Sequence, residues 1–561
     1  MALLLASSLA CSSAPETPSA RDASTDVSRD ATPTDTPAAD AAPPSDAPPR
    51  LNVKWQPCGT FGGQADPRAL CASVDVPLDH ANPGGERISL YVRHKPALTP
   101  SGRALWILMG GPGQSGQDGE PLANVLAQRD PGLDIYVPDH RGTGSSEYLG
   151  CPTAEAPDSL GGPGILPSEW PSCRDEVVAT WGARLRHFSA TSAARDLRAL
   201  IDATRATDTR AFVLGVSYGT YLANRYLQIA PSQPAGVILD SVCPGDGCHL
   251  SRHDLLEDEV ARGLLARCAD EPDCARRLGP DPVQHLRDLH RRVAMGHCAL
   301  APTPAQNTWL LRSALGNMMM SAPQRRLLAA VVYRMERCGA PDRAALSFLY
   351  ERLYGPDWAL VASIFAQPAA GAWLPMPTGT PPLGGGGMLQ GYSFPLAINI
   401  LTSELWETAD PSPAELVRRW TETLVCRGVA RQASWQVPGW PRYSDPLAGR
   451  VAETDVPLLA LNAEVDPATP APIARTIAAH LHGPYQRYIE IPGASHSVVA
   501  QGALVGDTTT TCGRELILQF VRDPRATLDT SCLARTIPHA FAASAQLSRL
   551  YFDTDSLWGD P

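Results

Sequence analysis

The chain is 561 residues long, 44% hydrophobic, and carries a formal net charge of -11 with an isoelectric point near 5.6. That length suits a large catalytic domain with an insertion, or two to three domains, and the composition can bury a large core. The acidic balance argues against nucleic acid as a partner.

Residues 2–10 are apolar, but fall short of the roughly 20 residues a membrane-spanning helix needs. They predict the hydrophobic part of a secretion signal. Cys11 follows Leu9-Ala10 directly, and residues 1–11 resemble a bacterial lipobox, in which the cysteine is lipidated and becomes the new N-terminus. Residues 12–50 hold eight Pro and seven acidic residues against three Arg. With almost no large apolar side chain, this stretch cannot offset the entropy of ordering, which predicts a disordered tether. The expected location is the cell envelope, with possible membrane attachment through Cys11, or the secreted space.

Fourteen Cys suit an oxidising compartment. Nearness in sequence suggests Cys58 with Cys71, Cys151 with Cys173, Cys243 with Cys248, Cys268 with Cys274, and Cys512 with Cys532. Cys298, Cys338 and Cys426 would then share one more bridge and a spare thiol. The run Cys243-x4-Cys248-His249-x3-His253 superficially resembles a zinc site. A short-loop disulfide is the expectation there, and no metal or cofactor is expected.

Runs at 70–76 and 88–94, joined by a turn through Asn82-Pro83-Gly84-Gly85, predict a leading antiparallel pair. Continuous apolar strands follow at 104–109, 133–137, 211–216 and 236–240, with helical spacing over 192–204 between them. The alternation predicts a mostly parallel, doubly wound α/β sheet. After residue 242 the pattern changes. Residues 243–450 show helical stretches at 255–267, 283–293, 308–319, 324–337 and 414–425, between Pro- and Gly-rich loops that include 384–387. They predict a mainly helical cap inserted between two parts of the core, 51–242 and 451–561. The sheet resumes at 456–462 and 486–491, with helices near 471–480 and 513–521.

The strand 211–216 runs into Gly215-Val216-Ser217-Tyr218-Gly219, and a helix follows. Strand, Gly-x-Ser-x-Gly, helix is the context of a nucleophile elbow. A serine hydroxyl needs an adjacent base, and the base needs a third group to orient it. In a doubly wound hydrolase these follow as acid, then histidine, each on a loop after a strand. Asp466, within Asp466-Pro467-Ala468-Thr469-Pro470, and His496, within Gly493-Ala494-Ser495-His496, fit that order. Glu464 and Asp455 are rival acids, and His482 is a rival base. The oxyanion would be held by the backbone N–H of Tyr218 and that of Gly111 in the earlier loop Gly110-Gly111-Pro112-Gly113.

Together, Gly110-Gly111-Pro112-Gly113-x-Ser115-Gly116, Asp139-His140-Arg141-Gly142-Thr143-Gly144-Ser145, the Ser217 elbow, Asp466-Pro467-x-Thr469-Pro470 and the His496 loop resemble the proline iminopeptidase and tripeptidyl aminopeptidase family of α/β hydrolases. Trp55-x2-Cys58, the run from Cys71 to Asp79, the paired cysteines near the C-terminus and Met109, where iminopeptidases usually have His, resemble the larger exported branch. The resemblance implies a serine peptidase releasing short N-terminal pieces from a peptide substrate, or an esterase or lipase-like hydrolase with the same triad. A third reading is an inactive hydrolase used as a surface binding protein. It further implies that cap carboxylates, among them Glu257, Asp258 or Glu259, grip a substrate amine.

Overall fold

The computed structural model describes residues 51–162, 164–366 and 391–560. The signal-like residues 1–11, Cys11 among them, the tether and the glycine run 384–387 lie outside the described residues.

Nine strands form one sheet: β1 Gln56–Pro57, β2 Leu70–Pro77, β3 Arg87–Lys95, β4 Arg103–Leu108, β5 Leu133–Asp139, β6 Arg210–Val216, β7 Gly236–Asp240, β8 Leu458–Ala463 and β9 Gln486–Ile491. Their spatial order is β1-β2-β3-β5-β4-β6-β7-β8-β9. From β5 to β9 every neighbouring pair is parallel. The leading pair β2/β3 is antiparallel, with Leu70 opposite His94 and Pro77 opposite Arg87.

Successive side chains point to opposite faces of a strand, so each apolar strand feeds two cores. Ala211 and Val213 of β6 join Trp106 and Leu239 on one face. Phe212, Leu214 and Val216 join Leu105, Ile107 and Leu461 on the other. Helices Ala190–Thr204 and Tyr218–Ile229 cover the first face. Helix Cys512–Arg522 buries Leu516, Ile517 and Phe520 on the second. The fold is that of an α/β hydrolase.

Between β7 and β8 every described element is a helix. These helices do not pack as one body. Helices such as Pro304–Met319 and Leu328–Arg337 build a third core around Leu310, Leu315 and Val331. Phe541, Phe552, Leu557 and Trp558, from the end of the chain, complete it. Helix Phe394–Glu404 instead sends Leu396, Ile398 and Ile400 into the sheet's own core.

Among the described residues six disulfides join Cys58–Cys71, Cys151–Cys173, Cys243–Cys248, Cys268–Cys274, Cys298–Cys338 and Cys512–Cys532. Cys426 is free and buried. Because Cys243 and Cys248 are bonded to each other, neither thiolate is available to a metal.

The glycines of the elbow mark where β6 and the helix after it cross β4. A Cβ on Gly215 would run into the carbonyl of Gly219, and one on Gly219 into the carbonyl of Leu108. The expected result for Gly219→Ala is a loss of roughly 1–3 kcal/mol through forced separation of helix and strand, read as a lower urea midpoint.

Candidate active site

Strand β6 ends at Val216 and its helix begins at Tyr218, so Ser217 makes the turn alone. Its φ of 58° and ψ of -124° are rare for a residue with a side chain. Ser217 N–H donates to the Asp240 carbonyl at 2.9 Å. The Ser217 carbonyl accepts from Thr220 N–H at 2.8 Å and from Thr220 Oγ1 at 2.6 Å. Gly110 leaves room beside Ser217, since a Cβ there would stand 2.9 Å from Ser217 Cβ.

Asp466 and His496 sit on the loops after β8 and β9. Asp466 is fully buried. His496 Nδ1 lies 3.0 Å from each of its carboxylate oxygens. The remaining lone pairs accept from Ala468 N–H at 2.9 Å, Thr469 N–H at 2.8 Å and Thr469 Oγ1 at 2.8 Å. Burial pushes the Asp466 pKa up, but the His496 contact and these donors outweigh it and hold it below 3.8. The rivals are placed elsewhere. Glu464 pairs with Arg267 at 2.6 Å, while Asp455 and His482 precede β8 and β9 and so belong to the other sheet edge.

Sequence reasoning missed a third carboxylate at this edge. Asp240 ends β7 and is fully buried. Its oxygens accept from Val498 N–H at 2.8 Å and Val499 N–H at 2.9 Å, and Ser241 Oγ accepts from Ser497 N–H at 2.7 Å. Three consecutive amides after His496 thus hang on the end of β7. Burial raises the Asp240 pKa to about 6 against the pull of those amides. A charged residue closing an otherwise apolar strand was the available signal. Asp139, at the end of β5, plays a similar part for the glycine loop. It accepts from Ser115 Oγ at 2.7 Å, Gly116 N–H at 2.6 Å, Ser145 N–H at 2.8 Å and Arg93 Nη1 at 2.9 Å.

A cavity of about 490 Å³ is lined by Ser217, His496, Gly111 and Tyr218 together. Among the described contacts Ser217 and His496 are not hydrogen-bonded, a bond that often tightens only with substrate. Gly110 N–H is already given to Gln114 Oε1 at 3.0 Å. Gly111 is the next amide along that loop. Tyr218 begins its helix, whose first N–H groups have no partner within the helix and carry the positive end of its dipole.

The other cavity wall comes from the helical insertion. It contributes His249, Leu250, His253, Leu256, Leu401, Leu405, Arg427 and Val429. No Asp or Glu among the described residues lines this cavity. The acids of helix His253–Ala266 are engaged elsewhere. Glu257 binds Arg427 through Nε at 2.9 Å and N–H at 3.0 Å. Asp258 accepts from Leu424 and Val425 N–H at 2.7 and 2.9 Å. Asp254 accepts from Ala430 and Arg431 N–H at 3.0 and 2.9 Å. Burial raises the Glu257 pKa to about 7, with Arg427 opposing. Glu259 points to solvent.

This grouping of serine, histidine and buried carboxylate sits on an α/β-hydrolase fold. A family model for the alpha/beta hydrolase fold matches residues 103–265. Serine protease Hip1 of Mycobacterium tuberculosis is 28% identical over 271 residues, covering 43% of this chain and 49% of that protein. Tripeptidyl aminopeptidase of Streptomyces lividans is 28% identical over 341 residues, 57% of each chain. The chain thus spans about half the length of the curated relatives it matches. A crystal structure of proline iminopeptidase from Mycobacterium smegmatis aligns with 81% of this chain and 98% of its own at 16% identity and a TM-score of 0.31. The chain has the α/β-hydrolase fold and is similar in sequence to proteins named serine protease and tripeptidyl aminopeptidase.

Replacing Asp240 by Asn keeps one acceptor but turns an NH2 group toward a backbone N–H. The expected cost is about 1–3 kcal/mol of stability, measured by urea unfolding. Fluorophosphonate labelling of Ser217 should slow about tenfold or more as the His496 loop loosens.

Proposed function

We propose that this protein is an exported serine peptidase that releases short N-terminal pieces from peptides through an acyl-enzyme. The observation that carries the reading is the shared cavity. Ser217 on its elbow and His496, backed by the buried Asp466, face the same space.

In this mechanism Ser217 Oγ attacks the scissile carbonyl as His496 takes its proton. Asp466 holds the imidazole by Nδ1 and stabilises its cationic form. The N–H groups of Gly111 and Tyr218 receive the negative charge on the tetrahedral intermediate, where one donor is worth on the order of 3 kcal/mol. His496 then protonates the leaving amine. Water, deprotonated by the same imidazole, hydrolyses the ester and regenerates Ser217.

The names of the matched relatives support the peptidase and aminopeptidase parts of the reading. The cavity supports a second reading as well. Its lining is mostly apolar, with Ser217 and His496 joined by polar or charged side chains such as Gln114, His249, His253, Tyr392, Thr469 and Arg427, and among the described residues it lacks a carboxylate to grip a free amine. That lining suits an acyl ester.

Export is supported by the six disulfides, since such bonds persist in oxidising compartments. Lipidation of Cys11 is the corresponding proposal for attachment to the cell envelope. It would appear as a diacylglyceryl mass on a mature N-terminus beginning at Cys11, and an unmodified N-terminus upstream of Cys11 would contradict it.

A fluorophosphonate probe should label the wild-type protein and leave Ser217→Ala unlabelled. Unlabelled wild-type protein would reject the serine-hydrolase reading. A peptide-library digest read by mass spectrometry should show cleavage a few residues from free N-termini. Preference for N-blocked peptides would reject the aminopeptidase register, and turnover of short acyl esters alone would favour the esterase.

A further inference from the structure

The helical insertion reaches beyond the cleft to the loops that carry the acid and the base. Where helix Pro304–Met319 ends, the chain turns through residues 320–323 into the short helical turn Gln324–Leu327. This corner rests on both loops. Arg325, only 1% exposed, bonds to each of them. Its Nη1 donates to the Val465 carbonyl at 3.1 Å and to the Ala494 carbonyl at 2.8 Å. Its Nη2 donates to the Gly493 carbonyl at 2.8 Å. Val465 immediately precedes Asp466, and Ala494 stands two residues before His496. The same corner holds the base loop twice more. Ser495 Oγ donates to the Met319 carbonyl at 2.8 Å, and Ala322 N–H donates to Gln501 Oε1 at 3.2 Å.

Three other buried arginines face carboxylates: Arg141 faces Asp196, Arg225 faces Glu404, and Arg334 faces Asp342, whereas Arg312 donates to the Thr421 and Thr423 carbonyls of a single segment. Arg325 touches no carboxylate among the described residues. Its two Nη groups are met by the carbonyls of two loops that leave different strands, while its buried Nε has no partner among the described residues. A buried cation is costly unless its donors are met, so the carbonyls must stay where the guanidinium needs them. The guanidinium is planar and its donors are fixed in a fork. One nitrogen shared between the loops and a second on the base loop therefore set the spacing between them.

We propose that Arg325 is a positioning residue for the triad, holding the Asp466 and His496 loops in register so that Nδ1 meets both carboxylate oxygens. It acts through backbone carbonyls and touches no reacting atom. The insertion is on this account part of the catalytic frame as well as a wall of the cleft. The proposal rests on the serine-hydrolase reading above.

The test compares fluorophosphonate labelling rates, their pH profiles and urea midpoints for wild type, Arg325→Met and Arg325→Lys. The Met variant should label on the order of 10²-fold more slowly, the cost of a misplaced catalytic group, and the acid limb of its pH profile should move. Lys, which can still donate to one or two of the carbonyls, should recover part of the rate. On a peptide or ester that the wild type turns over, kcat should fall while KM changes little, because Arg325 does not line the Ser217 cavity. Arg325 lines a separate cavity of about 830 Å³, through which methylguanidinium can enter and restore the rate of Arg325→Ala.

A folded Met variant with wild-type labelling rate and pH profile would overturn the proposal. So would a loss of rate that neither Lys nor methylguanidinium reverses. If the Met variant does not fold, the Lys variant and the rescue decide. Wild-type protein that fails to label overturns the serine-hydrolase reading instead, which keeps the two failures apart.

Discussion

The end of strand β7 carries the site. Asp240 accepts the Ser217 N–H through its backbone carbonyl and two amides of the His496 loop through its carboxylate. One residue therefore relates Ser217, set on a strained turn, to His496, set on a loop that enters about 280 residues later in the chain. Strain at a turn persists only where its surroundings over-determine it. Here the surroundings are the Asp240 carbonyl, the Thr220 hydroxyl and the close crossing at Gly215 and Gly219. The sheet supplies the fixed points, and buried carboxylates at strand ends convert them into loop positions. Asp139 does this for the glycine loop, Asp240 for the base loop, and Asp466 for its own turn as well as for the imidazole.

The helical insertion shows how burial redirects charge. Asp254, Glu257 and Asp258 lie on one helix of the insertion, and the family resemblance offers Glu257 and Asp258 as partners for a substrate amine. Each is instead spent on backbone N–H groups of residues 424–431, with Arg427 added for Glu257. A carboxylate that satisfies two amides at a helix start gains more there than in an apolar cavity, where its charge would go unpaired. What the insertion leaves on the cavity wall includes Arg427, His249, His253, Tyr392 and several aliphatic side chains.

Much of the frame was legible in the sequence because it follows from strong local patterns. The apolar runs at 104–109, 211–216 and 236–240 are strands buried on both faces, and the structure has them within a residue or so. Five disulfide pairs follow from nearness in the chain, while subtraction left Cys298, Cys338 and Cys426 open and the structure pairs Cys298 with Cys338. The proposed Ser217, Asp466 and His496 could be named because each stands in a turn motif after a strand. Asp240, Arg325 and the fates of the cap acids were not legible, since they depend on pairings across 140 to 259 residues. Helix Phe394–Glu404 was also missed. Its apolar positions serve the sheet's core rather than the helical layer, and it follows a Pro- and Gly-rich stretch with no cap signal clearer than Ser393.

In the proposed mechanism Ser217 forms a covalent acyl intermediate under the control of His496. It is tested most directly by intact-mass measurement and peptide mapping of the protein quenched in acid during turnover. The account predicts a transient adduct, one acyl group per chain, confined to the peptide that contains Ser217 and lasting longer in Asp466→Asn than in wild type. Turnover with no adduct, or an adduct on another residue, would contradict it.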